Sequence, residues 1–192
     1  MKIACLYGFG AALLLSLAAC QPQQGGSTQG ATTAAPPTPA TVTAPAANPA
    51  VANTQHPTLR VTTLSGTAWD LGQQRGKWVI VNYWATWCGP CLQEMPELSA
   101  LAAMRPHIAV IGLAYEDNTV EDLRTFMQAH QTTYPIALID VYDPPKDFGA
   151  PRGLPTSWLI APDGKLMRKY TGPVTARMLE DDIASLGGPK AG

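Results

Sequence analysis

The chain has 192 residues, a formal net charge of −1 at neutral pH and 14% charged residues. Nucleic acid is excluded as an expected partner, because phosphate binding requires concentrated Lys and Arg and the chain has no such cluster. The residues after position 56 are about enough for one ordinary domain.

Residues 1–20 are predicted to be a lipoprotein signal peptide. Met1-Lys2 forms a short positive region, an apolar stretch follows, and Leu17-Ala18-Ala19-Cys20 closes it. That ending resembles the bacterial lipobox, in which the cysteine is acylated and becomes the new N-terminus. A transmembrane helix is the weaker alternative, because the apolar stretch is shorter than the roughly 20 residues that span a bilayer. Ordinary secretion with an unmodified Cys20 is the other alternative.

Residues 21–56 consist mainly of Gln, Gly, Thr, Ala and Pro and contain no charged side chain. Such a segment cannot bury enough apolar surface to offset its chain entropy, so it is predicted to be a disordered tether. As a flexible coil it would reach roughly 35 Å. We expect a periplasmic protein anchored to a membrane by lipid on Cys20. The outer membrane is favoured over the inner because Gln21 rather than Asp follows Cys20.

Residues 57–188 are predicted to form one domain of alternating strands and helices. The run at 78–84 is continuously apolar and β-branched, which is typical of a strand buried on both faces. Apolar residues then recur at helical spacing from Cys91 onward, and Pro96 is expected to interrupt and kink that helix. The other predicted strands are 60–64, 68–71, 108–115, 136–139, 157–160 and 166–170, and the other predicted helices are 120–130 and 175–186. This order indicates a mixed sheet with helices on both faces.

The four cysteines indicate where the chemistry lies. Cys5 and Cys20 belong to the predicted signal segment, which leaves Cys88 and Cys91 in a CxxC pair between the central strand and its helix. A lone CxxC pair in this position indicates a redox centre. The dipole and the unpaired N–H groups of a helix N-terminus favour a thiolate, and lower the pKa of the Cys88 thiol by at most about one unit from about 8.5.

The CxxC pair has three other interpretations. The pair could be a structural disulfide or half of a metal site, but a zinc site would need two further ligands, and no second CxxC or closely spaced His pair exists. Leu92 rather than His follows Cys91, so the motif is not a haem-attachment site. We expect no metal and no cofactor other than a redox-active Cys88–Cys91 disulfide.

Residues 81–91, 94–96, 153–156 and 163–164 together resemble the TlpA/ResA branch of the thioredoxin superfamily, and the resemblance extends from about residue 58 to 186. It implies an α/β thioredoxin-like fold. The expected architecture is a mixed central sheet flanked by helices, with an N-terminal strand extension and a central αβ insertion.

The resemblance also implies roles for residues near the cysteines. Glu94 is expected to assist proton transfer at Cys91, the resolving thiol, after Cys88 attacks a partner. Asn82 stands where cytoplasmic thioredoxins carry a buried aspartate, which makes Glu94 more necessary. Glu116 is a second candidate for the same proton.

A substrate groove is implied around the CxxC pair. Pro155 is expected to follow a cis peptide bond, so that the backbone of Leu154 can pair with an extended partner segment. Trp87, Gly89 and Pro90 are expected to form the remainder of this surface, with Trp87 partly exposed.

The resemblance implies a thiol:disulfide oxidoreductase that reduces disulfides of partner proteins, in cytochrome c maturation or at copper-site thiols. Its electrons would come from a membrane reductase of the DsbD/CcdA type. One alternative is a chaperone that binds Cu(I) through the two thiolates, and another is an oxidising member of the same superfamily. A thiol peroxidase lacks support, because Gly89-Pro90-Cys91 replaces the expected Thr/Ser-x-x-Cys arrangement.

Overall fold

The computed structural model describes residues 55–190. The predicted signal peptide, Cys20 and the linker up to residue 54 lie outside the described residues. Between residues 55 and 190, no helix is both long enough and apolar enough to cross a membrane. The described elements are β1 (Arg60–Thr62), β2 (Ala68–Asp70), a 3₁₀ helix (Leu71–Gln74), β3 (Trp78–Trp84), α1 (Gly89–Met104), β4 (Ile108–Tyr115), α2 (Val120–Ala129), β5 (Ile136–Ile139), β6 (Thr156–Ile160), β7 (Leu166–Thr171) and α3 (Ala176–Ser185).

The main sheet has five strands in the order β5-β4-β3-β6-β7, so β3 is its central strand. Strands β3, β4 and β5 run parallel, whereas β6 and β7 are antiparallel to their neighbours. Strands β1 and β2 form a separate antiparallel pair at the N-terminal side of the described chain. The predicted α/β class, the mixed sheet and the strand extension are therefore confirmed.

Strand β3 separates two apolar cores. All seven of its residues are buried, and because successive side chains point to opposite faces, each core receives alternate residues. Ile80 and Trp84 lie in the core that includes α1. Val81 and Tyr83 lie in the other core, where the Tyr83 ring packs edge-on against Trp158. This double burial explains why the strand reads as one unbroken apolar run.

The expectation that Pro96 interrupts its helix is wrong, because α1 continues through it as one element. Proline removes the hydrogen bond to the carbonyl of Leu92. The buried side chains of Met95, Leu98 and Leu101 hold the helix against the sheet on either side of this defect. Tertiary packing of this kind supplies most of a helix's stability in a folded protein.

Two local features near the N-terminal strands also differ from expectation. Strand β1 ends at Thr62 rather than at residue 64, because the Thr63 N–H donates to the Thr67 carbonyl within the turn. The 3₁₀ helix after β2 was not predicted. Asp70 caps it by accepting a hydrogen bond from the Gly72 N–H at 2.7 Å.

Candidate active site

Cys88 is the N-cap residue of α1 and follows the turn that leaves β3. Its N–H donates to the Ala85 carbonyl at 3.1 Å, and its own carbonyl accepts from the Leu92 N–H at 3.1 Å. The Cys88 Sγ accepts a hydrogen bond from the Cys91 N–H at 3.3 Å. The backbone therefore holds this sulfur where helix N–H groups are otherwise unpaired, an environment that favours negative charge on sulfur.

Cys88 and Cys91 form a disulfide. The predicted pair is therefore present in its oxidised state. Cys91 has no exposed surface, whereas 5% of Cys88 remains exposed. Of the two sulfur-bearing residues, Cys88 is the one that an outside molecule can reach.

The predicted substrate surface consists of exposed residues adjacent to Cys88 in the chain and a separate groove residue, Leu154. The Trp87 side chain is 71% exposed, and Gly89 and Pro90 are also exposed. The Leu154–Pro155 peptide bond is cis, as predicted from the motif. Trp87 and Leu154 line one groove of about 520 Å³. Gly89, Pro90 and the buried Pro155 are not among the residues that line it.

Glu94 is almost fully buried, at 2% exposure, three residues after Cys91 on α1. Residues at this spacing lie on the same side of a helix. One carboxyl oxygen accepts from Asn82 Nδ2 at 2.7 Å and the other from the Val174 N–H at 2.8 Å. Burial raises the pKa of Glu94 to about 7, although both hydrogen bonds act in the opposite direction. A carboxyl group with this pKa can both accept and release a proton near neutral pH.

The hydrogen bonds that Asn82 and the Val174 N–H donate to this carboxyl group were not expected from the sequence. Asn82 Nδ2 also donates to Ser157 Oγ at 3.0 Å, so Asn82 links Glu94 to β6. The sequence does indicate that Asn82 has a hydrogen-bond partner, because Asn82 is a polar residue within an otherwise apolar buried strand and buried polar groups require partners. The hydrogen bond from the Val174 N–H could not be predicted, because every residue except proline carries a backbone N–H and the residue type does not distinguish one from another.

Glu116, the second candidate for the proton, contacts the turn before Cys88. Its two carboxyl oxygens accept from the Thr86 N–H at 3.2 Å and from Thr86 Oγ1 at 2.7 Å. Each oxygen keeps a further lone pair, so the role of Glu116 as a second proton acceptor stays a prediction. The arrangement makes Glu116 a support for the turn that presents Trp87 and Cys88.

The described part of the chain contains no cluster of three or more His, Cys, Asp or Glu residues that could hold a metal ion. His130 lies at the end of α2, where its ring stacks on Phe126 with centroids 4.0 Å apart. It contributes no ligand to the cysteine pair.

A disulfide that caps the first helix after the central strand of a mixed sheet is the arrangement of a thioredoxin-type redox enzyme. The AhpC/TSA family model matches residues 52–169, and the chain belongs to this family, as a TlpA/ResA-like protein of the thioredoxin superfamily. The thiol-disulfide oxidoreductase ResA of Bacillus thuringiensis is 33% identical over 131 residues, covering 68% of this chain and 75% of ResA. The thioredoxin-like protein YneN of Bacillus subtilis is 30% identical over 132 residues, covering 67% and 76%.

A solved structure agrees with these relatives. The crystal structure of the thioredoxin-like superfamily protein SPOA0173 superposes with a TM-score of 0.61 at 26% identity, covering 72% of this chain and 99% of that one. The predicted thioredoxin-like fold and the prediction of a redox enzyme of the thioredoxin type are therefore confirmed.

Proposed function

We propose that the protein is a lipid-anchored, extracytoplasmic thiol:disulfide oxidoreductase that reduces disulfides in partner proteins. The observation that carries this proposal is the Cys88–Cys91 disulfide at the N-terminus of α1, with the buried carboxyl group of Glu94 on the same helix. Two sulfurs able to form and break a bond, on a helix that also carries a carboxyl group whose pKa burial raises to about 7, supply the groups that thiol–disulfide exchange uses.

The reaction begins with the reduced pair. The Cys88 thiolate attacks one sulfur of a partner disulfide, forming a mixed disulfide and releasing the other partner sulfur as a thiolate, which takes up a proton. The Cys91 thiol then transfers its proton to the Glu94 carboxylate and attacks Cys88 Sγ. The bond between Cys88 and the partner breaks, the partner leaves with both sulfurs reduced, and the enzyme keeps the Cys88–Cys91 disulfide.

The cycle needs two electrons and two protons to regenerate the dithiol. We propose that a membrane reductase of the DsbD/CcdA type supplies them, and that no cofactor beyond the cysteine pair is involved. The proposed partners are cytochrome c maturation proteins or copper-site thiols. The lipobox at Cys20 and the uncharged segment of residues 21–56 support a tether that carries the domain of residues 57–188 beside a membrane.

Turnover of insulin disulfides with dithiothreitol as the electron source tests the proposal. The chain from residue 20 onward, with Cys20→Ser to leave Cys88 and Cys91 as its only thiols, is compared with Cys88→Ser and Cys91→Ser versions. We expect both substitutions to abolish turnover and Cys91→Ser to accumulate a mixed disulfide with insulin. Tight Cu(I) binding by the parent chain without any insulin reduction would overturn the proposal in favour of a copper chaperone.

A further inference from the structure

Five buried side-chain polar atoms have no hydrogen-bond partner within residues 55–190, among them the Tyr83 hydroxyl in the other core and Ser99 Oγ on α1. The remaining three lie on β3 or against Gly112, which pairs with β3. They are the Oδ1 of Asn82, the Nε1 of Trp84 and the hydroxyl of Tyr134. Buried polar groups in folded proteins are nearly always paired with protein or with ordered water. Asn82 Oδ1 only accepts, Trp84 Nε1 only donates and the Tyr134 hydroxyl can do either, so these atoms are chemically complementary.

Gly112 shows that Tyr134 lies beside Asn82. In the β3–β4 register Gly112 is the partner of Asn82, and paired residues of neighbouring strands face the same side of a sheet. A Cβ atom at Gly112 would lie 3.1 Å from Tyr134 Cε2 and 3.2 Å from Trp84 Nε1. The Tyr134 ring therefore packs against Gly112, on the face of the sheet to which the Asn82 side chain points.

We propose that Tyr134 is a positioning residue for Glu94. Its hydroxyl donates through one ordered water to Asn82 Oδ1, and thereby keeps Asn82 Nδ2 turned toward the Glu94 carboxyl group. This inference rests on the proposed function, in which Glu94 exchanges a proton with Cys91.

The chemistry of an amide side chain explains why a donor is needed at Oδ1. If the amide of Asn82 flipped, Oδ1 would face the Glu94 carboxylate and repel it. Ser157 cannot prevent the flip, because its hydroxyl can donate as well as accept. The Tyr134 hydroxyl can likewise donate or accept, so the orientation is set by the Glu94 carboxylate, which only accepts, and a donor at Oδ1 stabilises the orientation so set. Burial, and after it the charge of Glu94, raises the pKa of the Tyr134 hydroxyl, so this group keeps its proton.

The other titratable groups on the elements around Glu94 have partners of their own. They are Cys88 and Cys91 in their disulfide, Glu97 with the Ala176 N–H, Glu116 with Thr86, Glu180 with Arg105, Tyr170 with Asp182, and His130 with the Phe126 carbonyl. Tyr134 is therefore the titratable side chain near Glu94 whose hydrogen-bonding capacity is unused in the described structure.

Carbon-13 NMR of the glutamate side chains tests the inference in the oxidised chain from residue 20 onward with Cys20→Ser. The Glu94 titration midpoint is assigned with Glu94→Gln and then measured in Tyr134→Phe, which keeps the ring and removes the hydroxyl. Tyr83→Phe is the matched control, because Tyr83 is buried with an unpartnered hydroxyl on the opposite face of β3.

We expect Tyr134→Phe to raise the Glu94 midpoint by about half a pH unit or more, because a less constrained Asn82 stabilises the carboxylate less. Tyr83→Phe is expected to leave it unchanged. An unchanged midpoint in Tyr134→Phe, or an equal change in both variants, would overturn the inference. A different measurement tests the proposed role of Glu94 itself. That role would be wrong if Glu94→Gln showed the same pH dependence of insulin reduction as the parent chain.

Discussion

Replacing Glu94 with Gln should change how the stability of the oxidised protein depends on pH. The rise in its pKa from 4.5 to about 7 means that the folded protein binds this proton more tightly than the unfolded chain does. At about 1.36 kcal/mol per pKa unit, the difference corresponds to about 3 kcal/mol. Because the folded pKa is the higher one, this stabilisation is complete below about pH 4.5 and is lost as the pH rises through 7.

Urea denaturation of the oxidised chain between pH 5 and 8 measures this effect. The other titratable groups are the same in the parent and in Glu94→Gln. Subtracting the free energy of unfolding of Glu94→Gln from that of the parent therefore gives the contribution of Glu94 ionisation. We expect this difference to fall by about 2.5 kcal/mol from pH 5 to pH 8. Glu97→Gln, which removes an exposed carboxylate from the same helix, is the control and should not reproduce that fall. A difference independent of pH would refute the reasoning.

Three further predictions concern other parts of the chain. Gly112→Ala should lower the free energy of unfolding by about 1–3 kcal/mol, since its Cβ would meet Ile136 Cδ1 at 2.5 Å; an unchanged urea midpoint would contradict this packing. Glu116→Gln should cost about 1–3 kcal/mol in the same assay and slow insulin reduction, because it weakens the acceptor of both Thr86 hydrogen bonds. Cys20→Ser in the full chain should move the protein from the membrane fraction to the supernatant, and retention at the membrane would argue against the lipid anchor.

Much of the fold could be predicted because each element carries its own signal. The unbroken apolar run of β3 indicated burial on both faces, and the predicted and observed bounds of that strand agree. The hairpin between β6 and β7 followed from the turn around Gly164, whose φ is +88°. The 3₁₀ helix was missed because four residues are too few to show a period. Pro96 does not end its helix because the tertiary packing of Met95, Leu98 and Leu101 overrides the local propensity of proline.

The sequence predicted only those parts of the candidate site that depend on the type and spacing of side chains. The CxxC spacing gave the redox pair, and the motif gave the carboxyl group at Glu94. The surroundings of that carboxyl group depend on tertiary contacts that no local pattern encodes. The Val174 N–H is contributed from 80 positions away in the chain, by the segment that leads into α3. In the sequence Tyr134 resembles any other core aromatic residue, and only the structure shows that its ring packs against Gly112, the strand partner of Asn82.

Alkylation of the reduced chain tests the central claim most directly. A substoichiometric amount of iodoacetamide is added at pH 7 to the reduced chain from residue 20 onward with Cys20→Ser, and mass spectrometry identifies the modified cysteine. We expect Cys88 to be modified first, and faster than free cysteine, because it caps α1 and retains the solvent access that Cys91 lacks. Preferential modification of Cys91, or a Cys88 rate no higher than that of free cysteine, would contradict the exchange chemistry proposed for this site.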